Sequence, residues 1–314
     1  MKTDQQNDFY EKLEAKGVSR RDFLKYCTVL TATMGLPYSC VSKVAEQIEQ
    51  AASKPRPAVV WLHFSECTGC SEAFLRTPDV GAIILETISV EYHETIMAAS
   101  GHQAEKSLHD AVEKYKGQFV CIVEGAIATN YNGAYGKVAD RTFLAIAQDI
   151  IPKAAAVICI GTCAAYGGVS AAKPNPGGYK GVGDALGIKP INIPGCPPNP
   201  LNLLGVIVKY LSKEAIELDS IGRPMFAYGE SVHDNCPRLK FYDEGKFVTE
   251  FGSKEAELGY CLYQLGCKGP QTYNNCPTAK FNDGTSFPIQ AGHPCIGCSE
   301  PDFWDTMTPF YEES

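Results

Sequence analysis

Ten cysteines and one histidine, set in pairs and short clusters between residues 67 and 298, constrain this chain more than any other feature. They are Cys67, Cys70, Cys163, Cys196, His233, Cys236, Cys261, Cys267, Cys276, Cys295 and Cys298. Any fold must gather these soft ligands from distant segments into a few places. Eleven of them divide naturally as four, four and three, which suits three iron-sulfur clusters, because each iron takes a thiolate or imidazole to complete its tetrahedron. The pattern points to a protein that moves electrons.

At 314 residues and 45% hydrophobic, the chain is long enough for a sizeable core and for two domains. Its net charge of −8 gives no basic footprint, so nucleic acid is not an expected partner. An acidic surface suits a basic protein partner, although solubility alone also accounts for it.

Residues 1–52 read as a leader rather than as part of the fold. Ser19-Arg20-Arg21-Asp22-Phe23-Leu24-Lys25 places paired arginines before the weakly apolar stretch Tyr26 to Pro37, the pattern of a twin-arginine signal. Ala51-Ala52 marks the approximate cleavage point, and Cys27 and Cys40 would leave with the leader. Such a route carries folded cargo, as metal clusters inserted before export would require. No later stretch reaches eighteen apolar residues, so no transmembrane anchor is expected.

Residues 53–215 alternate apolar runs with helical stretches. Strands are expected at Val59–Leu62, from Ile83-Ile84-Leu85, at Phe119–Val123, at Val157–Ile160 and at Ile191–Ile193. Helices are expected from Ser71, over Gln103–Tyr115, over Thr142–Lys153 and over Asn202–Leu211. The fold class is therefore α/β, a flavodoxin-like, doubly wound parallel sheet. Cys67 and Cys70 follow the first strand, Cys163 the fourth and Cys196 the fifth. Loops after strand C-termini gather on one sheet edge, so these four thiols can meet around one cluster. Cys121 and Cys159 lie inside strands and read as core thiols. No Gly-x-x-x-x-Gly-Lys-Ser/Thr or Gly-x-Gly-x-x-Gly follows the first strand, so a nucleotide is not expected there.

Residues 216–314 hold six cysteines, few apolar runs and many turn residues, which predicts a loop-rich domain that needs staples. The residues alone leave three kinds of staple open: disulfides, zinc at half-sites such as His233-x-x-Cys236 and Cys295-x-x-Cys298, or iron-sulfur clusters. His63, His93, His102, His109 and His293 read as structural or unassigned.

The motifs Glu66-Cys67-Thr68-Gly69-Cys70, Gly161-Thr162-Cys163-Ala164-Ala165-Tyr166-Gly167-Gly168, Pro194-Gly195-Cys196-Pro197-Pro198-Asn199-Pro200, Val232-His233-Asp234-Asn235-Cys236-Pro237-Arg238, Gly266-Cys267-Lys268-Gly269-Pro270 and Gly292-His293-Pro294-Cys295-Ile296-Gly297-Cys298 together resemble the small subunit of a periplasmic nickel-iron hydrogenase. The resemblance is to the soluble, uptake type linked to cytochrome c3. It implies a proximal 4Fe-4S cluster on Cys67, Cys70, Cys163 and Cys196. A distal 4Fe-4S cluster would sit on His233, Cys236, Cys261 and Cys267, and a medial 3Fe-4S cluster on Cys276, Cys295 and Cys298. It also implies a partner large subunit that carries the catalytic nickel-iron centre, a periplasmic c-type cytochrome as acceptor, and no catalytic residue in this chain. Pro288 stands about where nickel-iron-selenium relatives carry a fourth medial cysteine, so the medial cluster is expected to keep three irons. Oxygen-tolerant relatives add cysteines where this chain resembles them with Gly69 and Gly168, so an oxygen-sensitive enzyme is expected. Glu66 is weighed as a proton carrier, with a structural carboxylate as the plainer reading.

Overall fold

The computed structural model describes residues 2–76 and 78–312. Its centre is a five-stranded parallel sheet of β1 (Ala58–His63), β2 (Ser89–His93), β3 (Val120–Glu124), β4 (Ala156–Ile160) and β5 (Ile191–Ile193). The strands lie in the order β2-β1-β3-β4-β5, all parallel, which is the flavodoxin-like arrangement. Every residue of β1 and β3 is buried, as apolar strands covered on both faces must be.

Alternation along the strands divides two cores. Val59, Trp61, Ile122, Ile158, Ile160 and Ile193 face one side of the sheet. Helices α5 (Pro78–Thr87) and α10 (Pro200–Leu211) pack there. Val60, Leu62, Cys121, Val123 and Cys159 face the other side, beneath α6 (His102–Lys114), α7 (Phe143–Ile150) and α9 (Val182–Leu186). Cys121 and Cys159 are thus core thiols, and burial raises the pKa of both. Local chemistry starts the helices: Thr142 Oγ1 accepts from Ala145 N at 3.1 Å to open α7, and Asn199 Oδ1 accepts from Leu201 N at 2.9 Å ahead of Pro200 in α10.

One expected strand is a helix. Ile83-Ile84-Leu85 belongs to α5, and the second strand is β2, with Ile83 and Ile84 both fully buried. A short apolar run has no periodicity that separates a buried helix from a buried strand. The alternating Ser89-Val90-Glu91-Tyr92-His93 that follows was the better strand signal.

The N-terminal segment also departs from expectation. Instead of lying outside the fold, it forms α1 (Lys2–Ala15), α2 (Arg20–Thr33) and α3 (Val41–Ala52). Phe23, Cys27 and Leu30 recur at helical spacing and are buried, as are Val44 and Ile48. That apolar stripe packs α2 and α3 onto α10.

Beyond α10 the chain is mostly turns and short helices, none longer than five residues among those described: α11 (Met225–Tyr228), α12 (Leu239–Asp243), α13 (Lys254–Glu257), α14 (Cys276–Ala279) and α15 (Phe303–Thr306). Its small core is Val232, Val248, Leu262, Leu265, Phe287 and Ile289, with Cys236, Cys267, Cys276 and Cys295 packed against it.

Candidate metal centres

The sheet edge gathers the first set of thiols. Cys67 sits between β1 and α4 (Gly69–Leu75), Cys70 in the first turn of α4, Cys163 in α8 (Gly161–Tyr166) directly after β4, and Cys196 after β5. The sulfurs are close enough that each charge would be felt by the others. Burial first, then Glu124, then Cys163, Cys196 and Cys67 raise the pKa of Cys70 well above that of a free thiol. Cys163 is pushed up to about 12 by burial, then by Cys196 and Cys67. Two glycines let the backbone close around this set. At Gly161, with φ +85°, a Cβ would collide with Cys70 Sγ, and at Gly168, with φ +61°, it would lie 2.5 Å from Cys163 Sγ.

Two further sets form in the C-terminal region. Cys276, Cys295 and Cys298 lie together: burial, then Cys298 and Cys295, raises Cys276, while Cys295 is pushed up to about 12 and Cys298 to about 11, burial being the largest cause in each. Burial raises Cys236, Cys261 and Cys267, and Cys267 adds to the rise at both Cys236 and Cys261. His233 lies on the Cys236 loop, where its carbonyl accepts from Cys236 N at 3.0 Å and its ring meets the edge of Tyr242 at 4.7 Å.

The three sets adjoin in a row. Cys298 lies close enough to Cys196 that each thiolate would feel the other's charge. Thr162 Oγ1 donates to the Cys298 carbonyl and accepts from Gly195 N at 2.9 Å. At the other end Cys295 N donates to Cys267 Sγ at 3.4 Å. The Cys295–Cys298 loop therefore touches both neighbouring sets. A cavity of about 780 Å³ runs beside Cys196, Cys276, Cys295 and Cys298, with Pro288 in its wall.

This donor chemistry fits iron-sulfur clusters. None of the fourteen cysteines is paired in a disulfide. A tetrahedral zinc with bonds of about 2.3 Å needs sulfurs about 3.8 Å apart. No trio of cysteines closes that tightly: the one such group among the described residues is His63, Glu66 and Glu124, with donor atoms within 4.8 Å. Buried thiols that raise one another's pKa lose their protons to solvent only when a strongly electron-accepting metal centre binds the sulfurs. Amides already aimed at sulfur, such as Arg238 N on Cys236 Sγ at 3.4 Å, suit thiolates bound to such a centre.

The sequence reading missed Glu124. This carboxylate ends β3, is 1% exposed, and accepts from Cys70 N at 3.1 Å, Ser71 N at 3.3 Å, Ser71 Oγ at 2.7 Å and Trp61 Nε1 at 3.3 Å. It locks the Cys70 turn from behind. His93 Nε2 lies 3.2 Å from Ser71 Oγ, and His93 Nδ1 lies 3.3 Å from His63 Nε2, while His63 Nδ1 reaches Glu66 Oε1 at 3.4 Å. Burial, then the His63 charge, lowers His93 to about 3, so that ring is neutral. Burial, then Glu124, raises Glu66, whose Oε2 is buried without a hydrogen-bond partner. The available signal was a glutamate closing an otherwise apolar strand.

A family model for the C-terminal part of NiFe/NiFeSe hydrogenase small subunits matches residues 228–311. A second, described as NADH ubiquinone oxidoreductase 20 Kd subunit, matches residues 67–210. The periplasmic NiFe hydrogenase small subunit 1 of Nitratidesulfovibrio vulgaris is 58% identical over 96% of both chains. This chain belongs to the nickel-iron hydrogenase small subunits. The periplasmic NiFe hydrogenase small subunit of Solidesulfovibrio fructosivorans is 54% identical, over 98% of this chain and 97% of that one. The solved NiFeSe hydrogenase of Desulfomicrobium baculatum aligns with a TM-score of 0.78 at 36% identity, covering 83% of this chain and 100% of that one. A hydrogenase small subunit pairs with a large subunit that holds the catalytic site, so this chain is the non-catalytic half of an oxidoreductase acting on hydrogen.

Proposed function

We propose that this chain conducts electrons between the large subunit's nickel-iron site and a periplasmic c-type cytochrome through three iron-sulfur clusters. Cys67, Cys70, Cys163 and Cys196 would hold the proximal 4Fe-4S cluster and Cys276, Cys295 and Cys298 the medial 3Fe-4S cluster. Cys236, Cys261 and Cys267, with His233, would hold the distal 4Fe-4S cluster. The observation that carries this reading is the row of three thiol sets, joined through Thr162, which bridges Gly195 N and the Cys298 carbonyl, and through the Cys295 amide on Cys267 sulfur.

When bound, such clusters supply one-electron carriers. The chain's own part is to keep water away and to aim amide donors at sulfur, which lowers the cost of changing charge in a buried site. Pro288 lines the medial cavity and offers no ligand, which supports three irons there. Gly168, pressed against Cys163, leaves no room for an added cysteine in this backbone, which supports an ordinary proximal cluster and oxygen sensitivity. The plainer role of Glu66 is structural, as a half-buried neighbour of His63.

Residues 1–52 would be a twin-arginine leader, removed in the periplasm. Arg20 and Arg21 are exposed on the first turn of α2. The relatives named periplasmic match nearly the whole chain, whereas the solved chain matches 83% of it, leaving a remainder about as long as this segment. No helix among the described residues is long and apolar enough to cross a membrane.

Electron paramagnetic resonance of the oxidised heterodimer, with an iron assay, tests the assignment. The expected result is a sharp three-iron signal and about eleven irons in this chain. Iron without that signal would reject the medial assignment, and an iron-free chain would reject the whole reading.

A further inference from the structure

The C-terminal region draws two arginines away from solvent and treats them differently. Arg223 is 6% exposed and is neutralised twice, by Asp219 at 2.7 Å and by Glu300 at 2.9 Å. Arg238 is half-buried, and among the described residues no carboxylate lies within ion-pair distance of it. A guanidinium taken out of water needs a counter-charge. The amino acids around Arg238 do not supply one.

Its position shows where the counter-charge would come from. The Arg238 amide donates to Cys236 Sγ at 3.4 Å, and its Nη1 donates to the Tyr260 carbonyl at 2.7 Å, one residue before Cys261. The side chain therefore reaches from the Cys236 loop to the Cys261 loop. Against the rise from burial, its charge lowers the pKa of Cys236, Cys261 and Cys267, with Lys268 adding to it at Cys267, and the same three thiols act on the guanidinium in return. A guanidinium keeps its proton at any working pH, so this charge is fixed.

The first thiol set has the opposite neighbour. Glu124 Oε1 accepts from Cys70 N at 3.1 Å, and after burial Glu124 is the next cause that raises Cys70, and a lesser one at Cys163. In the middle set, burial and then Cys196 outweigh Glu300 at Cys298, and Arg223 offsets that carboxylate. Fixed charge thus runs along the row from negative, through balanced, to positive.

We propose that Arg238 tunes the distal site: lying unpaired between the Cys236 and Cys261 loops, it stabilises the negative charge gained there with each electron and draws electrons outward, in the direction of hydrogen oxidation. This rests on reading His233, Cys236, Cys261 and Cys267 as ligands of a distal 4Fe-4S cluster. One electron leaves the medial centre, which is oxidised, and reduces the distal one before passing to the c-type cytochrome. No bond forms or breaks, and no proton is needed. A nearby cation favours the reduced form because the net charge around a cluster sets its potential.

Redox titration of the heterodimer, followed by electron paramagnetic resonance, tests the proposal with Arg238→Gln and Arg238→Lys. In Arg238→Gln, reduction of one 4Fe-4S cluster should become about tenfold less favourable, a fall of about 59 mV for a one-electron couple, while the other 4Fe-4S cluster and the three-iron signal stay in place. Hydrogen oxidation should slow relative to hydrogen production in the same variant. Arg238→Lys keeps the charge and should keep most of the original potential. Unaltered potentials in Arg238→Gln, an unaltered ratio of the two activities, or an Arg238→Lys that falls as far as Arg238→Gln would each overturn the proposal. So would a loss of about four irons from Arg238→Gln, since the residue would then clasp the two loops rather than tune the site. A deficit of iron in the unaltered heterodimer would instead refute the three-cluster reading beneath it.

Discussion

The two halves of the chain place their cysteines by different means. In the sheet domain, two large apolar cores built around β1, β3 and β4 are made of residues other than the proposed cluster ligands, and the cysteine loops are carried at the strand ends, with Cys70 packed against one core. In the C-terminal region six residues make up the buried core, and the cysteines themselves pack against it. The first domain is a scaffold that presents a site. The second, if the proposed clusters bind there, would be folded largely by them, as expected of a small loop-rich unit whose ligand binding free energy is also folding free energy.

Stripping iron with a chelator under reducing conditions should break this contrast open most widely. Hydrogen exchange should show residues 212–312 losing protection while β1, β3 and β4 keep theirs. Equal loss in both halves would mean that the sheet also depends on metal. Next in size, Gly161→Val should push Cys70 sulfur out of place and impose a positive φ on a branched residue. An iron assay should then find about four fewer irons per chain, with the C-terminal sites still filled. A smaller effect is expected from Ile122→Ala, which empties part of the sheet core and should cost about 2–4 kcal/mol in urea unfolding, with the iron content unchanged.

The mildest test is acid. His93 is held at about 3 by burial and then by His63, so the folded sheet domain refuses a proton that the unfolded chain accepts below about 6.5. Stability from this group is fully present above that value and is lost as the pH falls from about 6.5 toward 3. The expected loss between pH 7 and pH 5 is about 1–2 kcal/mol in the sheet domain. His93→Gln should flatten that dependence, measured as the shift in urea midpoint, and an unchanged slope would remove His93 from the account.

Much of this arrangement was legible in the sequence. The runs at Val59–Leu62, Phe119–Val123, Val157–Ile160 and Ile191–Ile193 mark strands buried on both faces, and their order put Cys67, Cys70, Cys163 and Cys196 at one edge. Ile83-Ile84-Leu85 misled because an apolar run in a helix buried on two sides looks like a buried strand. The N-terminal segment carries two signals at once: its paired arginines and weak hydropathy describe an address, while the spacing of Phe23, Cys27 and Leu30 describes a helix face with somewhere to dock. The Glu124, Ser71 and His93 network was hidden because its members come from three separate elements and meet only across the sheet edge. The contacts that join one thiol set to the next were hidden for the same reason, since Thr162 and Cys298, which meet through a hydrogen bond, are far apart in the chain.

Anomalous diffraction at the iron edge, from crystals of the assembled heterodimer, tests the central claim most directly. Three iron centres should appear in a row, bounded by Cys67, Cys70, Cys163 and Cys196, then by Cys276, Cys295 and Cys298, then by His233, Cys236, Cys261 and Cys267. Single metal ions at these places, or sulfurs bonded to one another in pairs, would contradict it.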